Sequence, residues 1–128
     1  MQETNVRERG VALVVEDDAL VALVASEMLM DLGYTVHQAG NADEAAELLG
    51  DNEVAVLFTD INMPGSMDGL SFARAVALLR PDTQILIASG RQHISADALP
   101  HGAKFLSKPY TEAQIRAALI TDRGSPVS

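Results

Sequence analysis

Residues 54–60 read VAVLFTD, an apolar run that ends in a single carboxylate, Asp60, and is followed by Pro64, Gly65 and Gly69. A short run of apolar and β-branched residues is typical of a strand that is buried on both faces of a parallel sheet. Proline and glycine then end the strand and favour a loop. The stretch therefore predicts a buried strand over residues 54–58 that carries an aspartate out of the core.

Similar runs recur along the chain, and segments of helical length separate them. Strands are predicted over residues 11–15, 34–38, 54–58, 84–88 and 103–107. Helices are predicted over residues 19–32, 42–49, 70–79 and 111–120, with a weak one over 91–99. This alternation predicts an α/β fold, a doubly wound five-stranded parallel sheet in the order 2-1-3-4-5 with helices on both faces, as in flavodoxin-like proteins. We expect one domain over residues 11–120, with tails over residues 1–10 and 121–128.

The composition argues against several classes of protein. The chain has 128 residues, a formal net charge of −9 and no cysteine. The acidic balance argues against nucleic acid and against an anionic membrane surface, since both need a basic face. Without cysteine there is no disulfide, no thiolate nucleophile and no Cys-type zinc site. The apolar runs are too short to span a bilayer and the chain starts without an apolar segment, so the cytoplasm is the expected location.

Charged and hydroxyl side chains follow four of the five predicted strands. Glu16 and Asp17 follow the first, Asp60 the third, Ser89 the fourth and Lys108 the fifth. In the predicted strand order these side chains converge at one sheet edge, where such folds bind ligands. Two carboxylates about 4 Å apart repel by roughly 4 kcal/mol at an effective dielectric near 20, so a cation is needed, and Mg²⁺ suits a few carboxylates. The set predicts a phosphoryl-transfer site with Asp60 as nucleophile.

Four short segments taken together closely resemble a response-regulator receiver domain. They are EDD at residues 16–18, TDINMPG at 59–65, ASG at 88–90 and KPY at 108–110, and the resemblance covers residues 11–119. It implies that Asp60 accepts a phosphoryl group from a phosphohistidine on a sensor kinase or phosphotransferase. It also implies that Asp17 and Asp60 bind Mg²⁺ directly, Glu16 through water, and Asn62 through its main-chain carbonyl.

The same resemblance assigns roles to residues of the last two strands. Ser89 would hydrogen-bond the phosphoryl group and follow it on activation, and Lys108 would pair with the phosphate. The bond from Lys108 to Pro109 would be cis, and Phe105 would rotate inward in the active state. Phe105 stands where many members carry tyrosine, so it lacks the hydroxyl.

Two loops depart from the family pattern. The segment PGSMDG is one residue longer than the common PxMDG spacing. The stretch from Ser89 to Lys108 is shorter than usual and offers few apolar residues for burial. We therefore expect the helix over residues 91–99, which belongs to the face that receivers use for output, to be short or labile.

Each site residue also has a plainer reading when taken alone. Asp17 or Asp18 could cap the first helix, and Asp18 is expected to do so. Asp60 could bind loop amides, Ser89 could satisfy a turn, and Lys108 could be solvated. As a set, they also leave two other functions open. A haloacid-dehalogenase-type phosphatase uses similar groups but needs a second acid where this chain has Asn62. A flavodoxin-like interaction module with a vestigial site is the other alternative.

The helix predicted over residues 19–32 carries two apolar stripes. The stripe expected to face the core comprises Val21, Val24, Ala25, Met28 and Leu32, and the outward stripe comprises Leu20, Leu23, Glu27 and Met30. An exposed apolar stripe beside an active site often marks a binding surface. The resemblance places this helix where receivers dock the helices that present the phosphohistidine. A homodimer through the stripe, or a wider buried face, remains an alternative.

The expected mode of action is signalling and not turnover of a separate substrate. No output domain is expected after the last helix, so we expect the protein to act by changing partners. The predicted partner is a histidine kinase or a histidine phosphotransferase. The protein itself is expected to be a monomer or a phosphorylation-dependent homodimer.

Overall fold

The computed structural model describes residues 9–61, 68–90, 96–100 and 102–121. The strands are β1 (Val11–Val15), β2 (Thr35–Ala39), β3 (Val56–Asp60), β4 (Gln84–Ser89) and β5 (Lys104–Ser107). The helices are α1 (Ala19–Asp31), α2 (Ala42–Asp51), α3 (Gly69–Leu79) and α4 (Glu112–Thr121), with a short 3-10 turn at Ala96–Ala98. Within the described residues, no helix has both the length and the apolar character needed to cross a membrane.

The five strands form one parallel sheet in the order β2-β1-β3-β4-β5, which confirms the predicted fold. Each face of the sheet is covered by a separate hydrophobic layer. The layer under α2 and α3 is built around Leu13, Leu57, Phe72, Val76 and Ile87. The layer under α1 and α4 is built around Val14, Leu29, Phe58, Leu86 and Ile115. Because both faces are covered, the strand ends are the part of the sheet left for a ligand site.

Local capping explains where the helices begin. The Asp18 carboxylate accepts hydrogen bonds from the backbone N–H groups of Leu20 and Val21, at 3.0 and 3.1 Å. At the start of α2, the N-cap Asn41 side chain accepts a hydrogen bond from the backbone N–H of Glu44, and the Glu44 carboxylate accepts one from the backbone N–H of Gly40. Thr111 and Gln114 form the reciprocal bonds of a capping box at the start of α4. These side chains satisfy backbone donors that the first turn of a helix leaves unpaired.

Two strands extend further toward the ligand edge than predicted. β3 starts at Val56 and includes Asp60, which pairs with Ala88 of β4. β4 includes Ser89, which pairs with Ser107 of β5. Both polar residues therefore lie on the last rung of a sheet ladder and not in the following loop. The ladder holds their backbones, so the side chains project from a fixed position.

Over the part that is described, the helix predicted over residues 91–99 is short, as expected. Only the single turn Ala96–Ala98 is present there, and residues 91–95 lie outside the described residues. The guanidinium of Arg74 on α3 donates a hydrogen bond to the carbonyl oxygen of Ala98 at 3.0 Å. The segment before Pro100 has few apolar residues, so it gains little from packing as a helix.

The core-facing stripe on α1 was predicted correctly only in part: Ala25 is buried, and Met28 and Leu32 pack against the core. The buried residues are Ala22, Ala25, Ser26 and Leu29, whereas Val24 is exposed. Apolar residues lie on nearly every side of this helix, so the spacing alone does not select one face. Small side chains let the helix lie close to the sheet, and the hydroxyl of buried Ser26 is satisfied by the carbonyl oxygen of Ala22 at 2.7 Å.

Candidate functional site

Three carboxylates meet where β1 and β3 end. Glu16 follows β1, Asp60 ends β3, and the two strands pair side by side up to Val15 and Thr59. One oxygen from each of Glu16, Asp17 and Asp60 lies within 4.8 Å of the others. Glu16 and Asp60 are buried, whereas Asp17 is exposed. The cluster is therefore open to solvent on the Asp17 side and closed on the sheet side.

Lys108 brings a positive charge to this cluster from the end of β5. Its Nζ lies 3.2 Å from Glu16 Oε1 and 3.5 Å from Asp60 Oδ1. The backbone N–H of Lys108 donates to the carbonyl oxygen of Ser89 at 2.9 Å, which fixes the lysine at the sheet edge. Burial lowers the pKa of Lys108, but the charges of Asp60 and Glu16 outweigh burial, and the net pKa is raised. The lysine therefore stays protonated and binds both acids.

The raised pKa of Glu16 shows the cost of burying a carboxylate beside a second acid. Burial raises the pKa of Glu16 and the charge of Asp60 adds to that shift. Hydrogen bonds from the backbone N–H of Asp18 and from Lys108 oppose it, but the net pKa remains raised. The net shift therefore comes mainly from burial, with a further contribution from Asp60, and a hard divalent cation with oxygen ligands would stabilise the charged form of both acids. The donor set of three carboxylates fits such a cation.

Ser89 ends β4 beside the acidic cluster. Its side chain is buried, with 2% of its surface exposed, and it follows Ala88, which pairs with Asp60. Phe105 is half-buried on β5 and pairs with Ile87, two residues before Ser89. The peptide bond between Lys108 and Pro109 is cis. Asn62 lies outside the described residues.

Gly69 was expected from the sequence only as a loop residue, although it is the start of α3 and lies against the backbone of Asp60. It is the first residue of α3, and its backbone N–H donates to the carbonyl oxygen of Ile61 at 3.0 Å. A Cβ atom placed on Gly69 would lie 1.8 Å from the carbonyl oxygen of Asp60. Asp68 is the N-cap of α3, and the residue after an N-cap does not need the flexibility of glycine. A glycine at this position could therefore have indicated that the start of α3 lies close to another segment of backbone.

Tyr110 was also missed, and it joins the site to the surface of α1. Its ring packs edge-to-face on Phe58 with the centroids 5.2 Å apart. Burial and the nearby charges of Glu16 and Asp60 raise the pKa of Tyr110 to about 12. With Lys108 and Pro109, the tyrosine forms one wall of an apolar groove. The other wall belongs to α1 and comprises Leu20, Val21, Val24 and Met28.

The proposed partner stripe on α1 is narrower than expected. Leu20 and Leu23 are exposed, at 68% and 47% of their surface, but Met30 is half-buried and does not belong to the outward face. Exposed Val24 replaces it as an apolar residue of this face. The difference between the predicted and the observed outward face has the same cause as the error in the core stripe. Apolar residues lie on every side of the helix, so the sequence does not show which face is buried.

Comparisons with known proteins agree on one family. The family model for the response regulator receiver domain matches residues 12–120. The sensor kinase CckA of Brucella abortus (strain 2308) is 33% identical over 117 residues, which cover 88% of this chain and 12% of the kinase. The DNA-binding transcriptional regulator NtrC of Escherichia coli (strain K12) is 32% identical over 106 residues, which cover 80% of this chain and 22% of NtrC. The chain thus spans a small part of these relatives.

A solved structure gives a similar result. A response regulator protein from Burkholderia pseudomallei, with a phosphorylated aspartic acid, calcium ion and citrate, superposes with a TM-score of 0.78. It is 33% identical, and the match covers 90% of this chain and 69% of that protein.

Proposed function

Because this chain belongs to the response regulator receiver family, we propose that Asp60 accepts a phosphoryl group from a phosphohistidine of a sensor kinase or histidine phosphotransferase, with Mg²⁺ bound beside it. The chain is a receiver of a two-component phosphorelay. The observation that carries the finer assignment is the Asp60 carboxylate on the last rung of β3, 3.5 Å from Lys108 Nζ and next to two further acids. In this role the receiver changes its own charge and partners and has no separate substrate.

The residues of the site suit transfer to a carboxylate. An oxygen of Asp60 forms a bond to phosphorus as the bond from phosphorus to the imidazole nitrogen of the donor breaks, which leaves an acyl phosphate on Asp60. Lys108, which already contacts Asp60, pairs with a phosphoryl oxygen. Mg²⁺ held by Asp17 and Asp60, with Glu16 acting through water and the carbonyl of Asn62, would neutralise charge on the phosphoryl oxygens. The phosphorylated aspartic acid and calcium ion of the Burkholderia protein support this arrangement.

The same geometry supports a switch that starts at Ser89. The serine lies at the end of β4, beside the strand that carries Asp60. A hydrogen bond from its hydroxyl to the phosphoryl group would draw the end of β4 toward Asp60. Phe105, half-buried on the neighbouring strand, would then turn inward and change the surface around β5.

The groove between α1 and the segment from Lys108 to Tyr110 is the proposed docking site for the donor. It is apolar, and Lys108 links it directly to the acidic cluster. Leu20 and Leu23 extend the apolar surface outward from the groove. A helix that presents phosphohistidine could bury these side chains and bring its imidazole to the edge of the sheet.

Incubation with acetyl phosphate and Mg²⁺ tests the proposed chemistry without a kinase. The intact mass should rise by one phosphoryl group, and EDTA should prevent the rise. A steady release of inorganic phosphate with no phosphorylated protein would support a phosphatase instead. No change in mass and no released phosphate would contradict both the receiver and the phosphatase function, and would favour an interaction module.

Substitution of Leu23 by Glu tests the docking site. A charge in the apolar interface should slow phosphotransfer from the cognate kinase by roughly tenfold or more, because the carboxylate must be desolvated on docking. Labelling by acetyl phosphate, which needs no docking, should stay unchanged. Rapid-quench measurement of phosphotransfer gives the rates.

A matched control for this variant is Leu78→Glu, the same change at an exposed leucine of α3, on the other face of the sheet. It should leave phosphotransfer at the wild-type rate. If a folded Leu23→Glu protein receives phosphoryl groups as fast as wild type, α1 is not the docking surface.

A further inference from the structure

The face of the sheet that is covered by α2 and α3 carries a second exposed apolar surface, away from the groove beside α1. Leu78 and Leu79, at the end of α3, are exposed over 84% and 77% of their surface, more than Leu20 or Leu23 on α1. Large apolar side chains that lie adjacent and open to solvent often mark a binding surface. The proposed donor site does not explain them, because α1 packs on the opposite face of the sheet.

A groove between α2 and α3, here called the α2–α3 groove, continues this surface and has a volume of about 350 Å³. Its floor is formed by three buried apolar side chains, Leu49, Phe72 and Val76. Its walls carry small residues, Ala46 and Gly50 on α2 and Ala75 on α3, and Leu79 lies at its end. Because alanine and glycine add little side-chain bulk, a third helix can approach closely and insert apolar side chains between α2 and α3.

The two rims of the α2–α3 groove differ in charge. The rim on α2 is acidic, since Asp43 lines the groove and Glu47, one turn further along the same helix, is exposed. The residues of α3 that line the groove are apolar up to Arg80. The guanidinium of Arg80 donates hydrogen bonds to the carbonyl oxygens of Leu49 and Asn52, so it serves the end of α2. A helix in this groove therefore meets apolar side chains on one flank and carboxylates on the other.

We propose that the α2–α3 groove binds an amphipathic helix of another protein, one with an apolar stripe and a basic flank. The apolar stripe packs on Leu79 and on the floor of the groove, with anchors at every third or fourth residue, as in other helix-in-groove complexes. Lysine or arginine on the flank faces Asp43 and Glu47. The apolar contacts supply most of the affinity, and the solvent-exposed charged pairs mainly set the orientation of the helix.

The charges favour another protein over a second copy of this chain. Among the four helices that the structure describes, α1 and α2 contain no basic residue, and α3 and α4 contain one each, Arg74 and Arg116. Arg74 donates to the carbonyl oxygen of Ala98, and Arg116 lies 3.7 Å from the carboxylate of Glu112. None of these helices therefore offers a basic flank, and the formal net charge of −9 opposes self-association. The same net charge attracts a basic helix.

A labelled model peptide tests the groove directly. The probe is a helical peptide of about 15 residues, with leucines at spacings of three and four and lysines along one flank. Fluorescence anisotropy, measured without phosphodonor, should show saturable binding of one peptide to each chain. Two control peptides should bind by roughly tenfold or more less tightly. One carries glutamates in place of the lysines, and the other has the same composition in an order that breaks the leucine stripe.

Variants of the protein show which surface the peptide occupies. Leu79→Glu should weaken binding by roughly tenfold or more, because it places a carboxylate in the apolar contact. Glu47→Arg should weaken binding by roughly fivefold, because it places like charges opposite one another. Asp31→Arg is the matched control. It makes the same change in net charge at an exposed position of α1, on the other face of the sheet, and should leave binding nearly unchanged.

Four results would overturn the proposal. The first is a wild-type protein that does not bind the lysine peptide, and the second is equal binding of the reordered peptide, which would show attraction to net charge alone. The third is binding that Leu23→Glu abolishes and Leu79→Glu does not, which would place the peptide in the groove beside α1. The fourth is a wild-type dimer in sedimentation velocity that Leu79→Glu disrupts, which would show that a second copy covers the α2–α3 groove.

Discussion

The Asp60→Asn protein will take up no phosphoryl group, either from acetyl phosphate or from a phosphohistidine donor. An amide oxygen is a poor nucleophile, and the substitution also removes a charge that Lys108 contacts at 3.5 Å. The side chain keeps its size and its place on the last rung of β3, so the fold should persist. Intact-mass measurement after incubation with Mg²⁺ and donor should show the unmodified mass. Full modification of the variant would place the acceptor elsewhere.

Asp17→Asn is the matched control, because it changes the same functional group at an exposed position of the same cluster. It leaves the nucleophile intact and removes a proposed Mg²⁺ ligand, so phosphorylation should slow by about a hundredfold at limiting Mg²⁺. In EDTA it should melt higher than wild type. Relief of about 1 kcal/mol of repulsion at this solvent-exposed position predicts a rise of about 2–6 °C. A lower melting temperature in EDTA would contradict a repulsive cluster.

The sheet could be predicted from the sequence because helix-ending residues separate its apolar strands. Pro81 ends the segment before β4, and Gly33, with a φ of +106°, ends α1 in a conformation that glycine favours. The strand order followed from the α/β alternation and the fold it indicates. What the apolar pattern missed was the last rung of β3 and β4, because Asp60 and Ser89 are polar and their pairing is visible only in the ladder.

The position of the candidate site was predictable for a related reason. The features of the site that could not be predicted also have physical causes. Parallel strands bring their carboxyl ends to one edge, so Glu16, Asp60 and Lys108 had to converge once the order was known. Sequence could not show that Lys108 contacts both acids, because the side chain must reach past β4 to Asp60 and past β4 and β3 to Glu16. Nor could it orient α1, where apolar residues on every side leave the buried face undetermined.

Gly69 illustrates a contact that no periodicity encodes. Its α-carbon faces the backbone of Asp60, and the start of α3 lies against the end of β3 because glycine has no side chain. The hydrogen bond from Gly69 N–H to the carbonyl oxygen of Ile61 fixes this approach at 3.0 Å. Gly69 is therefore a positioning residue: it contacts the backbone that holds the proposed acceptor carboxylate and not the carboxylate itself.

Gly69→Ala will destabilise the protein by about 3 kcal/mol and lower its melting temperature by roughly 10 °C, because the new Cβ would lie 1.8 Å from the carbonyl oxygen of Asp60. Relief of this clash requires α3 to move away from β3, which shifts the backbone of Asp60, so phosphorylation by acetyl phosphate should slow even below the melting range.

Gly50→Ala is the control. Gly50 lies in α2 with no atom within 4 Å of an added Cβ, and alanine there should stabilise the helix by about 0.5–1 kcal/mol. In thermal melts, Gly69→Ala should therefore unfold at a lower temperature than wild type and Gly50→Ala at a higher one. Only Gly69→Ala should be labelled more slowly by acetyl phosphate. A Gly69→Ala protein that melts and labels as wild type would show that the approach of α3 to Asp60 is not needed.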